Sequence, residues 1–210
     1  MRIGFTTTAL FVVLLQPADA AELTLTDEIA KQAIEYGMKL AARPDEEFLR
    51  EWVAKPKAVG LSAADNASMA TVFTPFMQFA YFAHGENRPP TPEESAALAE
   101  SVKESIGFRV LCFGKTGDFT KKAGVQLKVE WMEQGKQKSK SLMSMRLGGT
   151  PAEPVGAGAI FEDGSNAYGG AVFCSFLKSE LRGDETVTLE LVEHTRGVTL
   201  EYVFDLRTIR

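Results

Sequence analysis

The hydrophobic pattern of this chain changes period part-way along, and that change limits the architectures open to it. From Phe108 onward apolar residues recur at every second position instead of every third or fourth. In VQLKVEW, Val125, Leu127, Val129 and Trp131 fall on one face and Gln126, Lys128 and Glu130 on the other. That is the pattern of a strand with one face in a core and the other in water. TVTLELVEHTRGVTLEYVFDL does this twice, with Val187, Leu189 and Leu191 inward, then Val198, Leu200, Tyr202, Phe204 and Leu206 inward after a turn around His194 to Gly197. A slip of one residue would turn each apolar set to solvent, so the hairpin register is well specified. FRVLCFG, SLMSMRL and AVFCSFL supply further strands. Antiparallel strands without intervening helices predict a β-sandwich over residues 107–210, immunoglobulin-like or similar.

Residues 21–106 read as mainly helical, packed with the sandwich as an α+β chain. Thr26 caps a helix whose first turn holds Asp27 and Glu28, favourable at the positive end of the helix dipole, and Pro44 ends it. A second short helix is expected over Asp45 to Val53. Thr91, Pro92 and Glu94 form a capping-box start for a helix running to about Glu104. In MATVFTPFMQFAYFAHG, Thr74-Pro75 repeats the cap-then-proline arrangement after an extended MATVF. The helix that follows is apolar nearly all round and lacks the charged face of a membrane-surface helix, so it belongs in a core.

Residues 1–20 have the parts of a secretory signal peptide: Arg2, the apolar run Ala9 to Leu15, and Ala18-Asp19-Ala20 after Pro17. The expected location is periplasmic or secreted. The apolar run is too short to span a bilayer, and no later stretch is long enough. The formal net charge of −5 favours neither a nucleic-acid binder nor a disordered tail.

Export and an even cysteine count predict a disulfide between Cys112 and Cys174. No G-x-S-x-G, H-E-x-x-H, P-loop or EF-hand pattern is present, and His84 and His194 are the only histidines. Catalytic residues, metal ligands and cofactors are therefore not assigned. Glu190 and Glu201 are placed on the outward face of the last hairpin, and RGD at Arg182 to Asp184 reads as a turn.

Two groups are candidate contact sites. Glu162, Asp163, Ser165, Asn166 and Tyr168 cluster at the end of the long connection Gly148 to Gly170, suited to a sugar, a peptide or a cation. Lys121, Lys122, Lys136, Lys138 and Lys140 lie in a segment holding seven lysines against three acidic residues, a positive ribbon for an anionic glycan, headgroup or partner. The same lysines also serve to guard a strand edge. The leading functional expectation is an exported, non-catalytic module that binds an envelope or extracellular protein or glycan. The alternative is a carrier of an apolar ligand held between the aromatic helix and the sandwich. A hydrolase, with a carboxylate-only glycosidase as its remaining form, comes last.

Overall fold

A computed structural model describes residues 23–57, 62–155, 161, 163–194 and 196–209. The expected signal peptide, Glu162 and most of the stretch GAIF lie outside the described residues. Among those described, five α-helices and two antiparallel sheets make a mixed α+β chain.

The helices start where the local chemistry places them. Helix α1 (Asp27–Lys39) begins with the Thr26 hydroxyl accepting from the Ile29 N–H at 3.2 Å. Helix α2 (Asp45–Phe48) is a single turn that tightens into a 3-10 helix over Leu49–Trp52, so the expected longer helix stops before Val53. Ser62 and Asp65 form a capping box at α3 (Ala63–Ala67), which the sequence reading missed. Helix α4 (Pro75–Glu86) starts on the Thr74 cap, and α5 (Pro92–Ser101) on the Thr91–Glu94 capping box.

Helix α4 is buried on most of its circumference, through Phe76, Met77, Phe79, Ala80, Ala83 and His84. Its rings join those of Tyr36, Phe48 and Trp52 in one aromatic cluster, with Tyr36 and Phe76 centroids 5.7 Å apart. Gly37 lets α1 approach α4 closely, because a β-carbon there would overlap the carbonyl oxygen of Ala80. The aromatic stretch is thus structural core.

Eleven strands form the two sheets: β1 (Val53–Ala54), β2 (Pro56–Lys57), β3 (Met69–Phe73), β4 (Ser105–Gly114), β5 (Ala123–Glu133), β6 (Lys136–Met143), β7 (Arg146–Gly149), β8 (Glu153–Pro154), β9 (Tyr168–Leu177), β10 (Thr186–Glu193) and β11 (Val198–Asp205). The first sheet runs β1-β3-β4-β9-β7 with β8 also on β9; the second runs β2-β11-β10-β5-β6. The chain crosses between them at both margins, at Lys55 between β1 and β2 and at Ser144–Met145 between β6 and β7. The expected strand SLMSMRL is therefore two strands in different sheets.

The alternating residues meet as their period requires. Ile106, Phe108 and Val110 of β4 and Leu127, Val129, Leu189, Leu200 and Phe204 of the second sheet belong to one buried cluster with the α1 and α4 residues. Phe108 and Phe204, one from each sheet, have ring centroids 5.5 Å apart. Each such side chain contributes about 1.5–3 kcal/mol of hydrophobic stabilisation. The β5–β6 hairpin closes on Gln134 and Gly135, both at positive φ (50° and 75°), the two-residue geometry that matches strand twist.

Candidate functional site

The β6–β7 margin gathers the apolar side chains that the core does not cover. Among the described residues, five of the seven large hydrophobic side chains left exposed are Met143, Met145, Leu147, Phe173 and Leu177. All five lie on β6, the crossing, β7 or β9. The crossing is fixed by the Met145 N–H, which donates to the Ser175 carbonyl at 2.8 Å. Phe173 pairs with Gly148 across the β7–β9 ladder, and space beside Gly148 is open where a side chain would stand. Phe173, 44% exposed, is therefore uncovered on its β7 side.

The lysines do not form one ribbon. Lys121 and Lys122 end the 3-10 turn before β5, where Lys122 bonds Asp118 at 2.6 Å. Lys136 pairs with Glu133 at the opposite end of β5. The eleven-residue strand between them separates the two groups by roughly 35 Å. Lys128 is on the outward face and bonds Glu130 at 3.1 Å. Lys138 and Lys140 stand opposite Trp131 and Val129, and hence on the face that Val129 turns to the core. Lys140 reaches Glu180 at 2.8 Å, tying the edge of the second sheet to the end of β9. Lys136 and Lys138 are exposed and have no ion-pair partner among the described residues.

The other candidate cluster is largely occupied by itself. Asp163 pairs with Lys115, and its other oxygen accepts from Ser165 N–H and Oγ–H at 3.1 and 2.6 Å. Lys115 and the Ser165 donors hold the Asp163 carboxyl well below the usual carboxylate range. Tyr168 begins β9 and packs half-buried against the core, while Asn166 is exposed.

Cys112 and Cys174 are both free and buried, which corrects the expected disulfide. In the β4–β9 ladder Cys174 pairs with Phe108 and Cys112 with Gly170. The thiols are thus four residues apart along adjacent strands, about 13 Å, against a limit near 7 Å between bridged α-carbons. Burial pushes each thiol up to about 12. His84 is buried and stacked on Phe48, with Nε2 donating to the Arg43 carbonyl at 3.0 Å and Nδ1 3.6 Å from Asp45. It links α2 to α4. His194 is exposed in the β10–β11 turn.

The sequence reading missed a buried ionic cluster. Arg196 bonds both oxygens of Asp65 at 3.0 and 2.8 Å, Glu193 at 2.8 Å and the Phe113 carbonyl at 3.2 Å, with its guanidinium 4.6 Å from the Phe161 ring centroid. The Ser62-x-x-Asp65 cap was the available signal, but Arg196 lies 131 residues away from it. Among the described residues no group of three or more histidines, cysteines and carboxylates is placed to hold a metal ion. No described helix is long and apolar enough to cross a membrane. No family model, curated protein or solved structure matches this chain.

Proposed function

We propose that this chain is an exported, non-catalytic binding module, its two sheets packed as a β-sandwich, which holds an extended acidic-apolar segment of a partner protein along the β6–β7 margin. The exposed apolar side chains around this margin carry this reading: Leu147 on the core-facing side of β7, level with Cys174, Phe173 and Leu177 on the outer side of β9, and Met143 and Met145 at the crossing. Clustered exposed apolar side chains of this kind mark protein contact sites, and methionine adapts its shape to a partner. Both strands at this margin are sheet edges, to which an extended segment can add.

Charge selects the occupant. Lys136 and Lys138 would repel the same edge of a second copy and favour a segment carrying carboxylates. Their strand-guarding role and this selectivity are compatible, since both exclude neutral and basic strands. Export rests on the Arg2, Ala9–Leu15 and Ala18–Ala20 pattern.

A ten-residue peptide alternating leucine and glutamate is a suitable probe for fluorescence anisotropy. Binding should weaken at least about tenfold in Phe173→Ser/Leu147→Ser, and fall with salt in the parent but much less in Lys136→Gln/Lys138→Gln. Binding unchanged in both variants would overturn the site. Increased aggregation of the lysine variant with unchanged binding would leave those lysines as guards of a free edge only. Mass analysis of the exported chain, expected to begin at Ala21, checks the export half separately.

A further inference from the structure

Helix α5 is anchored at its start through Glu94 and packs on the core along its length through half-buried Leu98 and Ala99. Its capping box is reinforced by Arg88, which bonds both Glu94 oxygens at 2.7 and 2.8 Å, yet α5 fully buries none of its ten residues. Apolar Ala96 and Ala99 line two open grooves between α5 and the N-terminal part of α1. One, of about 1040 Å³, has a floor of Leu23, Leu25 and Ile29 and reaches Lys178 and Arg182. The other, of about 640 Å³, shares Leu25, Ala96 and Ala99 and extends past Ile34 to Phe79 and Pro89. The two make one trough along α5, whose ten residues span about 15 Å. Volumes of this order are those of small-molecule sites.

Charged side chains stand along the whole rim of the trough: exposed Asp27, Lys31 and Glu35 beside the second groove, and Glu100, Lys103, Lys178 and Arg182 around the first. Lys103 pairs with Glu100 at 3.5 Å and Arg182 with Asp184 at 3.4 Å, so these cations are already balanced. Lys178 is different: it is half-buried and has no ion-pair partner among the described residues. Its backbone N–H is fixed on the Glu104 carbonyl at 2.9 Å, which holds the residue at the mouth of the groove. Burial lowers the pKa of its ammonium, a penalty that an anion beside it would relieve.

We infer that this trough binds a long-chain fatty acid, with the carboxylate on Lys178 and the acyl chain along Leu25, Ala96 and Ala99 toward Phe79 and Pro89. Lys178 is the half-buried cation of the lining, whereas Lys31, Lys103 and Arg182 are exposed, and the half-buried apolar side chains Leu25, Ala30, Ile34 and Ala99 offer an acyl chain contact beneath the exposed charges of the rim. The occupant would complete the packing of α5 on α1. This places an apolar ligand beside α5 and not between the aromatic helix and the sheets, where the sequence alone had put it. It stands independently of the β6–β7 margin.

Delipidated full-chain protein titrated with palmitate, and in parallel with hexadecanol, acetate and vesicles of anionic phospholipid, tests the site by calorimetry. Palmitate should bind one per chain and more tightly than hexadecanol, with acetate silent. Lys178→Gln should weaken palmitate about tenfold or more, the scale of one lost charge-assisted contact, and leave hexadecanol unchanged. Ala96→Glu, at an exposed position common to both grooves, should abolish binding of both without lowering the melting temperature. No saturable palmitate binding, palmitate binding indifferent to both substitutions, or binding of vesicles alone would overturn the assignment.

Discussion

Arg196 and Asp65 are joined by two hydrogen bonds, at 3.0 and 2.8 Å, across 131 residues of chain. The pair is buried on both sides and fastens the β10–β11 turn to α3. Glu193, also buried, shares the guanidinium at 2.8 Å. A buried cluster of this kind gives less net stability than its contacts suggest, because all three charges lost water, but removing its one cation strands two carboxylates. Arg196→Met should therefore cost about 3–5 kcal/mol in chemical denaturation, far more than an exposed pair such as Lys103–Glu100, whose loss should cost less than about 1 kcal/mol.

The same pair predicts the acid limb of stability. Burial works against the Asp65 charge, but the bonds from Arg196 and Ser62 outweigh it and hold the carboxyl below its ordinary value. A carboxyl depressed on folding contributes stability that is complete above its unfolded pKa, about 3.9, and lost as pH falls toward the folded value. Denaturation midpoints should accordingly drop below about pH 4 in the parent chain. Asp65→Asn should be less stable at neutral pH and should show a shallower fall over that acid range.

The cysteines give a chemical prediction. Burial raises both thiols to about 12, leaving negligible thiolate at pH 8. The native protein should resist alkylation at that pH. In denaturant without reductant, two thiols should be modified per chain; zero would show a disulfide and require β4 and β9 to slide by about four residues.

Two helical glycines should respond oppositely to alanine. At Gly37 a β-carbon would overlap the Ala80 carbonyl, costing on the order of 1–3 kcal/mol or more and outweighing the roughly 1 kcal/mol gain in helix propensity. At Gly85 no heavy atom beyond its chain neighbours and its own helix backbone lies within 4 Å of the new carbon. Gly37→Ala should lower the melting temperature, and Gly85→Ala should raise stability by about 0.5–1 kcal/mol.

Glu190 and Glu201 face one another in the β10–β11 register on the outward side of the second sheet, with Lys57 opposite Glu201 on β2. Like charges directly opposite destabilise by a few tenths of a kcal/mol up to about 1. Glu190→Gln should therefore stabilise slightly, and the gain should shrink at high salt.

The sequence by itself determined the local elements. Thr26, Thr74 and Thr91 announced three helix starts because a cap acts within three residues. The period-two faces of β4, β5, β10 and β11 were legible because the strand repeat is written residue by residue, and the burial of α4 followed from its lack of a polar side. Tertiary structure alone decided what depends on which strands become neighbours. Cys112 and Cys174 sit in similar strand patterns, yet the β4–β9 register sets them four residues out of step. The lysines look continuous in sequence, yet β5 carries Lys122 and Lys136 to opposite ends and the pleat puts Lys128 and Lys138 on opposite faces. Arg196 has a local partner in Glu193, but its partner Asp65 lies 131 residues away, so the buried cluster is not written in any one segment. SLMSMRL reads as one strand, but the chain bends at Ser144–Met145 to pass from one sheet to the other. Backbone pairing between distant segments is set by burial of the whole apolar surface at once, and no window of the sequence contains that sum.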